Sequence, residues 1–435
     1  MSHKIIKTII GFCLTMAMIS CEIIPIDPTN PEEKPKPYNN VMLLYSAGFN
    51  NLASYLKGDI EELKTGFIPS AKDKNVVLVY SHFPTGSGYN NPSSPTLTRL
   101  TSNKNGVVQV DTLVVFPEGS ISASSHQLKK VLTTVNETFP AKSYGMIFSS
   151  HATGYLPVGY YQNASSGSNI IEWSVRPEGE CFVFPSSVPY IEPEYDPSLP
   201  MVKSIGQDQV GTYGNFISHE INLPDFAEAI PMQLDYILFD ACLMGGIEVA
   251  YELKDKVNKI GFSQAEVLAD GFCYGTLTTH LFGHKEPDLK SICDDYYQQY
   301  AERVGQHQSA TISLIDCTQF DPLAKLCKNL FSKYSEKIMT MDPSRVQGYF
   351  RDGKHWFYDL ESILRNADIL PHELQQLYDA LNVCVLYKAH TPMFLEIFKI
   401  DTFCGFSMYL PSQGSDRLNA FYKNLKWNQD TGLVN

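Results

Sequence analysis

An α/β fold built on a largely parallel sheet is what this sequence predicts, and three observations carry the prediction. Short, wholly apolar runs recur, such as Met146–Phe148 and Tyr236–Phe239. They are too short for ordinary helices and have the residue types of strands buried on both faces. Segments with helical spacing lie between such runs, as where Val249, Ala250, Leu253 and Val257 follow Tyr236–Phe239; strands alternating with helices imply crossovers and a parallel sheet. The runs also stop at turn formers that follow polar or reactive side chains: Gly154 and Pro157 after His151, Gly245 and Gly246 after Cys242. In open α/β sheets that corner is where ligands bind.

The elements follow in order from the amino terminus. Lys4 and Lys7 precede the apolar stretch Ile9–Ile19, an arrangement too short to span a bilayer comfortably that reads as a secretory signal over residues 1–20. Met18, Ile19, Ser20 and Cys21 resemble a bacterial lipobox, which implies lipid modification of Cys21 after cleavage; the other reading is a signal cut elsewhere. Residues 21–40, with Pro25, Pro28, Pro31, Pro35 and Pro37 among charged side chains, cannot bury a core and read as an extended tether.

Residues 41–300 read as the main α/β region and 301–435 as a further α/β subdomain packing on it. Strands are expected at Val41–Ser46 and Asn75–His82, with a Gly/Ser/Pro/Asn-rich loop to about Asn105, then a strand at Thr112–Phe116 and a helix at Ser125–Phe139. The strand leading to His151 comes next. Residues 155–234 lose all periodicity, and so long an irregular insert is usually functional. A helix at about Leu223–Ile230 leads to the strand before Cys242, and another strand ends at Ser263. Beyond it lie a strand and helix from Ser309, helices near Tyr358–Arg365 and Pro371–Leu386, a strand at Gly405–Leu410 and a terminal helix.

The composition limits the function. The 435 residues are 43% hydrophobic with a formal net charge of −13, so no basic field exists to attract nucleic acid or an anionic membrane surface. No cysteines sit as Cys-x-x-Cys pairs, which leaves a zinc ribbon or redox motif without support. An exported chain would be free to form disulfides among the remaining cysteines.

Cys242, at a strand end before a helix, is placed like a nucleophile; the same position suits a small buried core cysteine. His151 ends another buried strand 91 positions earlier, and two buried strands of one parallel sheet would bring both to the same edge. A neutral imidazole there could take the thiol proton and return it to a leaving amine.

At Phe239–Met244, Phe-Asp-Ala-Cys-Leu-Met, and at His151, Gly154 and Tyr155, the chain resembles the clostripain family of cysteine peptidases. Similar segments occur at Asn50, Asn51 and Leu52, at Asp270, Gly271, Phe272 and Tyr274, at Phe403–Pro411 and at Trp427. The resemblance implies a caspase-like α/β/α sandwich and a His151/Cys242 dyad acting through a thioester. It also implies an oxyanion hole from the N–H groups of Cys242 and Ala152, with Ala152 standing where relatives carry glycine. Asp240 and Asp270 would line an S1 pocket for Arg or Lys, since two carboxylates facing a closed pocket call for a cation. The insert would be the place of self-cleavage, with Lys203 preferred over Arg176 because Pro177 follows the latter. No cofactor is needed for this chemistry; calcium enters only because some relatives depend on it, and no EF-hand-like spacing is present.

The main rival is an exported lipoprotein that keeps the fold as a binding module without catalysis. Gly261–Ala265 resemble a loose serine-hydrolase elbow but end in Ala where Gly is wanted. His280 and His284 have i, i+4 spacing without the Glu of a zinc-protease helix, and read as ordinary helix-end histidines.

Overall fold

The computed structural model describes residues 37–85, 93–158, 205–212, 215–351 and 355–434. Residues 37–435 form one compact unit. Its frame is a nine-stranded sheet. The strands are β1 (Tyr38–Ala47), β2 (Asn75–His82), β3 (Thr96–Ser102), β4 (Val108–Val115), β5 (Ala141–Ser149), β8 (Leu234–Asp240), β9 (Val257–Phe262), β10 (Thr311–Asp316) and β12 (Val385–His390). A separate hairpin, β6 (Asp208–Thr212) and β7 (Asn215–His219), lies within the 155–234 insert, where the sequence showed no periodicity, and a two-residue strand, β11 (Tyr358–Asp359), lies outside the large sheet.

The order is β12-β10-β9-β8-β5-β1-β2-β3-β4. The five central strands run parallel, and two antiparallel strands extend the sheet on either side. Seven consecutive residues of β1, Val41–Ala47, are buried, so both faces of the central sheet are covered, as its unbroken apolar runs require. The helix Ser125–Thr138 begins where the Ser124 hydroxyl accepts the Gln127 N–H at 3.2 Å, capping one of its open donors.

Several elements differ from expectation. The segment read as loop to Asn105 contains β3, whose Thr96-Leu97-Thr98 alternation belongs to a half-buried antiparallel strand. β4 starts at Val108, four residues before the expected Thr112. The helix from Pro371 ends at Cys384, and Val385 opens β12. At Gly405–Leu410 only Ser407 and Met408 pair, with β11. In each case partner strands chosen by tertiary packing decide what local propensity leaves open.

Candidate active site

β5 and β8 are neighbours in parallel register, with Ser149 opposite Asp240. The offset between those partners is the offset between His151 and Cys242. Both side chains therefore leave the same edge of the sheet, two residues past the last ladder pair.

His151 is buried, and its Nε2 lies 2.6 Å from Asn51 Oδ1. An amide oxygen only accepts, so this contact places the ring proton on Nε2 and leaves Nδ1 with its lone pair. Asn51 stands in the turn just before the helix Ala53–Leu63 that follows β1. The sequence marked Asn51 as part of a similar segment without giving it a role. Its neighbour Asn50 is fixed by Nδ2–H bonds to Ala47 O at 3.0 Å and Gln207 O at 2.6 Å. Ser150, beside His151, donates to Ala47 O at 2.7 Å and accepts the Gln207 N–H at 3.2 Å. Gln207, within the insert, thus braces the chain next to both members of the His151–Asn51 pair.

That brace is anchored by a buried carboxylate. Asp208 accepts the Ser122 N–H at 2.6 Å and a short bond from the Ser122 hydroxyl, and its Oδ2 lies 3.2 Å from His82 Nδ1. Phe49 stacks on the His82 ring with centroids 4.6 Å apart. The sequence pointed to no role for Asp208, or for His82 beyond a strand end, because 126 positions separate them.

Cys242 is wholly buried. Its Sγ accepts the Val267 N–H at 3.2 Å and donates to Val267 O at 3.7 Å. The expected proximity to a helix amino terminus is not what the structure has: the helix starts at Ile247, and the N–H that meets the sulfur comes from the loop after β9. Leu243, next to the thiol, has φ 60°, a conformation that costs a leucine about 1 kcal/mol or more. Its N–H is held by Ala265 O at 2.8 Å.

Ala152 is buried and keeps a negative φ, so it needs no glycine freedom. Gly154 does: its φ is +61°, and a Cβ there would stand 2.5 Å from Leu243 O. The motif keeps glycine where the histidine loop meets the nucleophile turn.

Asp240 is fully buried, and its Oδ2 accepts from the Ser149 hydroxyl at 3.1 Å and the Tyr274 hydroxyl at 2.8 Å. This carboxylate and burial together raise the Tyr274 phenol well above its ordinary pKa, burial being the larger cause. Gly271, at φ +61°, passes so close that a Cβ would lie 2.4 Å from Asp240 Oδ2. Asp270 is exposed, and its Oδ2 accepts from Arg303 Nη1 at 2.6 Å. The loop therefore brings Gly271 against Asp240, while Arg303 holds the Asp270 carboxylate. Ser263, of the loose elbow, has its hydroxyl engaged with Ala265 O at 3.0 Å and Thr311 Oγ1 at 2.7 Å. Cys21, Arg176 and Lys203 lie outside the described residues. No disulfide joins the seven described cysteines.

The sequence pattern that defines the Clostripain family matches residues 44–168 and 193–432. Among solved structures, an inactive zymogen of a C11 protease from Parabacteroides distasonis is 24% identical with a TM-score of 0.70, covering 91% of this chain and 99% of its own. A secreted C11 cysteine protease from Bacteroides thetaiotaomicron, iotapain, is 23% identical with a TM-score of 0.68, covering 91% and 100%. A complex of a secreted C11 cysteine protease from the same organism with an irreversible peptide inhibitor is 23% identical with a TM-score of 0.67, covering 90% and 98%. These likenesses establish the caspase-like fold that the motifs implied. No protein of curated function matches the chain.

Proposed function

Because this chain belongs to the clostripain family and is a cysteine endopeptidase, we propose that it cleaves peptide bonds after Arg or Lys through Cys242 and His151. The observation that carries the reading is the β5–β8 register, which sets both side chains at one sheet edge with Asn51 behind the imidazole. His151 Nδ1 takes the thiol proton, and the thiolate attacks the scissile carbonyl carbon. The N–H groups of Cys242 and Ala152 stabilise the oxyanion, which collapses to a thioester as the imidazolium gives its proton to the leaving amine. Water, activated by the same imidazole, then releases the acid product.

Asp240 and Asp270 are our assignment for the P1 cation. Support comes from the depth of Asp240 and from the guanidinium that Asp270 already holds, that of Arg303, which a substrate arginine would replace. A substrate must also uncover the thiol, so the Val267 segment has to move. Self-cleavage after Lys203 is the accompanying proposal: Ile205–Asp208, just downstream, are bound into the site and would keep the new chain end attached. Export with a lipid on Cys21 is supported by the signal-like start and the proline-rich tether; the Bacteroides thetaiotaomicron relatives are described as secreted.

Fluorogenic peptides differing only at P1 test the reading, with intact mass measured on the same preparations. Arg and Lys peptides should be turned over, Leu and Asp peptides should not, and Cys242→Ala should be inert. Asp240→Asn or Asp270→Asn should weaken the basic preference by about 2 kcal/mol, roughly 30-fold. Wild type should separate into two associated chains split after Lys203, and Cys242→Ala should stay whole. Equal cleavage after Leu or Asp would overturn the pocket assignment. Turnover by Cys242→Ala would overturn the mechanism, and an inert wild type that no thiol-reactive peptide labels would favour the binding module.

A further inference from the structure

The helix Tyr274–Phe282 stops at Gly283, and Asp288 caps the next helix, Leu289–Ala301. This break folds the corner between them back on itself, with the Asp288 N–H donating to His280 O at 3.1 Å. As a result His280, His284 and Asp288 each offer a ligand atom within 4.8 Å of the others. We propose that this corner binds one zinc ion, or a similar nitrogen-preferring divalent transition metal, through these three side chains.

The donor set argues for that class of metal. Two imidazoles and one carboxylate with an open fourth position is a zinc arrangement, whereas calcium wants six to eight oxygens. His280 is also prepared as a ligand. Its Nε2 lies 2.9 Å from Asp295 Oδ2, and that oxygen is itself held by the Thr276 hydroxyl at 2.6 Å. A carboxylate on one ring nitrogen fixes the imidazole and leaves Nδ1 for the metal, the usual outer support of zinc-bound histidine. Asp288 is aimed by the Ser291 N–H at 3.1 Å and hydroxyl at 2.7 Å, and each of its oxygens keeps a lone pair for further bonding. Tetrahedral ligands stand about 3.3 Å apart, so the cluster has only on the order of 1.5 Å to close. His284, which is exposed, can rotate to close it.

The ion would staple two helices that back the buried Asp240. Tyr274 opens the first helix and donates to Asp240, while Tyr300 in the second donates to Gly271 O at 2.8 Å. The inference does not depend on the proposed cleavage specificity.

Zinc titration of the full chain in a Cys242→Ala background, which removes the competing catalytic thiol, tests it by calorimetry and thermal unfolding. The expected result is one Zn2+ per chain, a rise in Tm, and visible d–d absorption when Co2+ replaces Zn2+. Adding His284→Ala, an exposed change that should leave the fold intact, should weaken binding at least ten-fold and abolish the Tm rise. Asp295→Asn should weaken binding by about ten-fold through His280 alone. Absence of binding, or unchanged affinity in the His284→Ala protein, would overturn the site.

Discussion

Asn51 decides which nitrogen of His151 can act as base. With its oxygen 2.6 Å from Nε2, the tautomer that presents a lone pair on Nδ1 is favoured and the ring cannot swing freely. Asn51→Ala should therefore lower kcat by on the order of 10- to 100-fold, a part of what a general base contributes, with KM little changed. Asn51→Asp keeps the acceptor and should restore much of the rate. Steady-state kinetics across pH checks this: a purely structural role would leave the pH profile of kcat/KM in place, whereas loss of the acceptor should move its acidic limb. Indistinguishable profiles for wild type and Asn51→Ala would rule the role out.

At the scale of elements, the segment Ile205–Gln209 is the brace on which the site rests. Gln207 bonds to Asn50 and Ser150, the Gln209 N–H donates to Phe49 O at 2.8 Å, and Asp208 ties the segment to Ser122 and His82. Asp208 has no solvent-exposed surface. Removing it leaves the Ser122 N–H without its acceptor in a dry interior and the His82 Nδ1 with only the Ser122 hydroxyl, at 3.2 Å, so Asp208→Ala should cost about 3 kcal/mol or more. Urea denaturation measures this directly, and a change below about 0.5 kcal/mol, the range of an ordinary surface substitution, would remove the segment's anchoring role. Because the brace touches the neighbours of His151 and Asn51, the folded fraction of the variant should also show a reduced kcat.

Across the whole molecule, the carboxyl-terminal third clasps the nucleophile turn. The Ser407 N–H donates to Gly245 O at 2.8 Å, Tyr251 donates to Asp430 Oδ2 at 2.6 Å, and Tyr155 of the histidine loop packs against Tyr409 and Tyr422. At the centre is Glu248, one residue into the helix after Cys242, whose Oε1 accepts the Tyr409 N–H at 2.8 Å and the Tyr422 hydroxyl at 2.7 Å. Burial pushes its carboxyl up to about 7, and those two bonds only partly oppose it. The folded state thus binds this proton more tightly than the unfolded chain does. Its contribution is fully present below the unfolded pKa and is lost as pH rises through the folded one, by about 3 kcal/mol between roughly pH 4.5 and 7. Glu248→Gln, which keeps an acceptor oxygen for both tyrosines, should flatten this slope and leave the protein more stable than wild type at pH 8. Thermal unfolding of both proteins across that range checks it; parallel curves would mean that Glu248 does not titrate there.

The sequence by itself determined the strand and turn around each reactive residue. An apolar run buried on both faces can only be a central strand, and glycines after Cys242 and His151 can only mark where each strand leaves the sheet. It also determined the 91-residue spacing that the parallel register turns into a shared edge. What it could not determine were the contacts made across that edge. Asn51 behind His151, Val267 on the thiol and Asp208 under the brace all join positions from separate elements. Periodicity and turn chemistry act over a few residues and reach none of these pairs. They are chosen when strands select neighbours and helices end, steps governed by the packing of the whole core and by the need to give every buried polar group a partner. The exposed Asp270 shows the same limit. Its motif is local and legible, but the direction of its carboxylate depends on Arg303, a residue just past the end of the helix Leu289–Ala301.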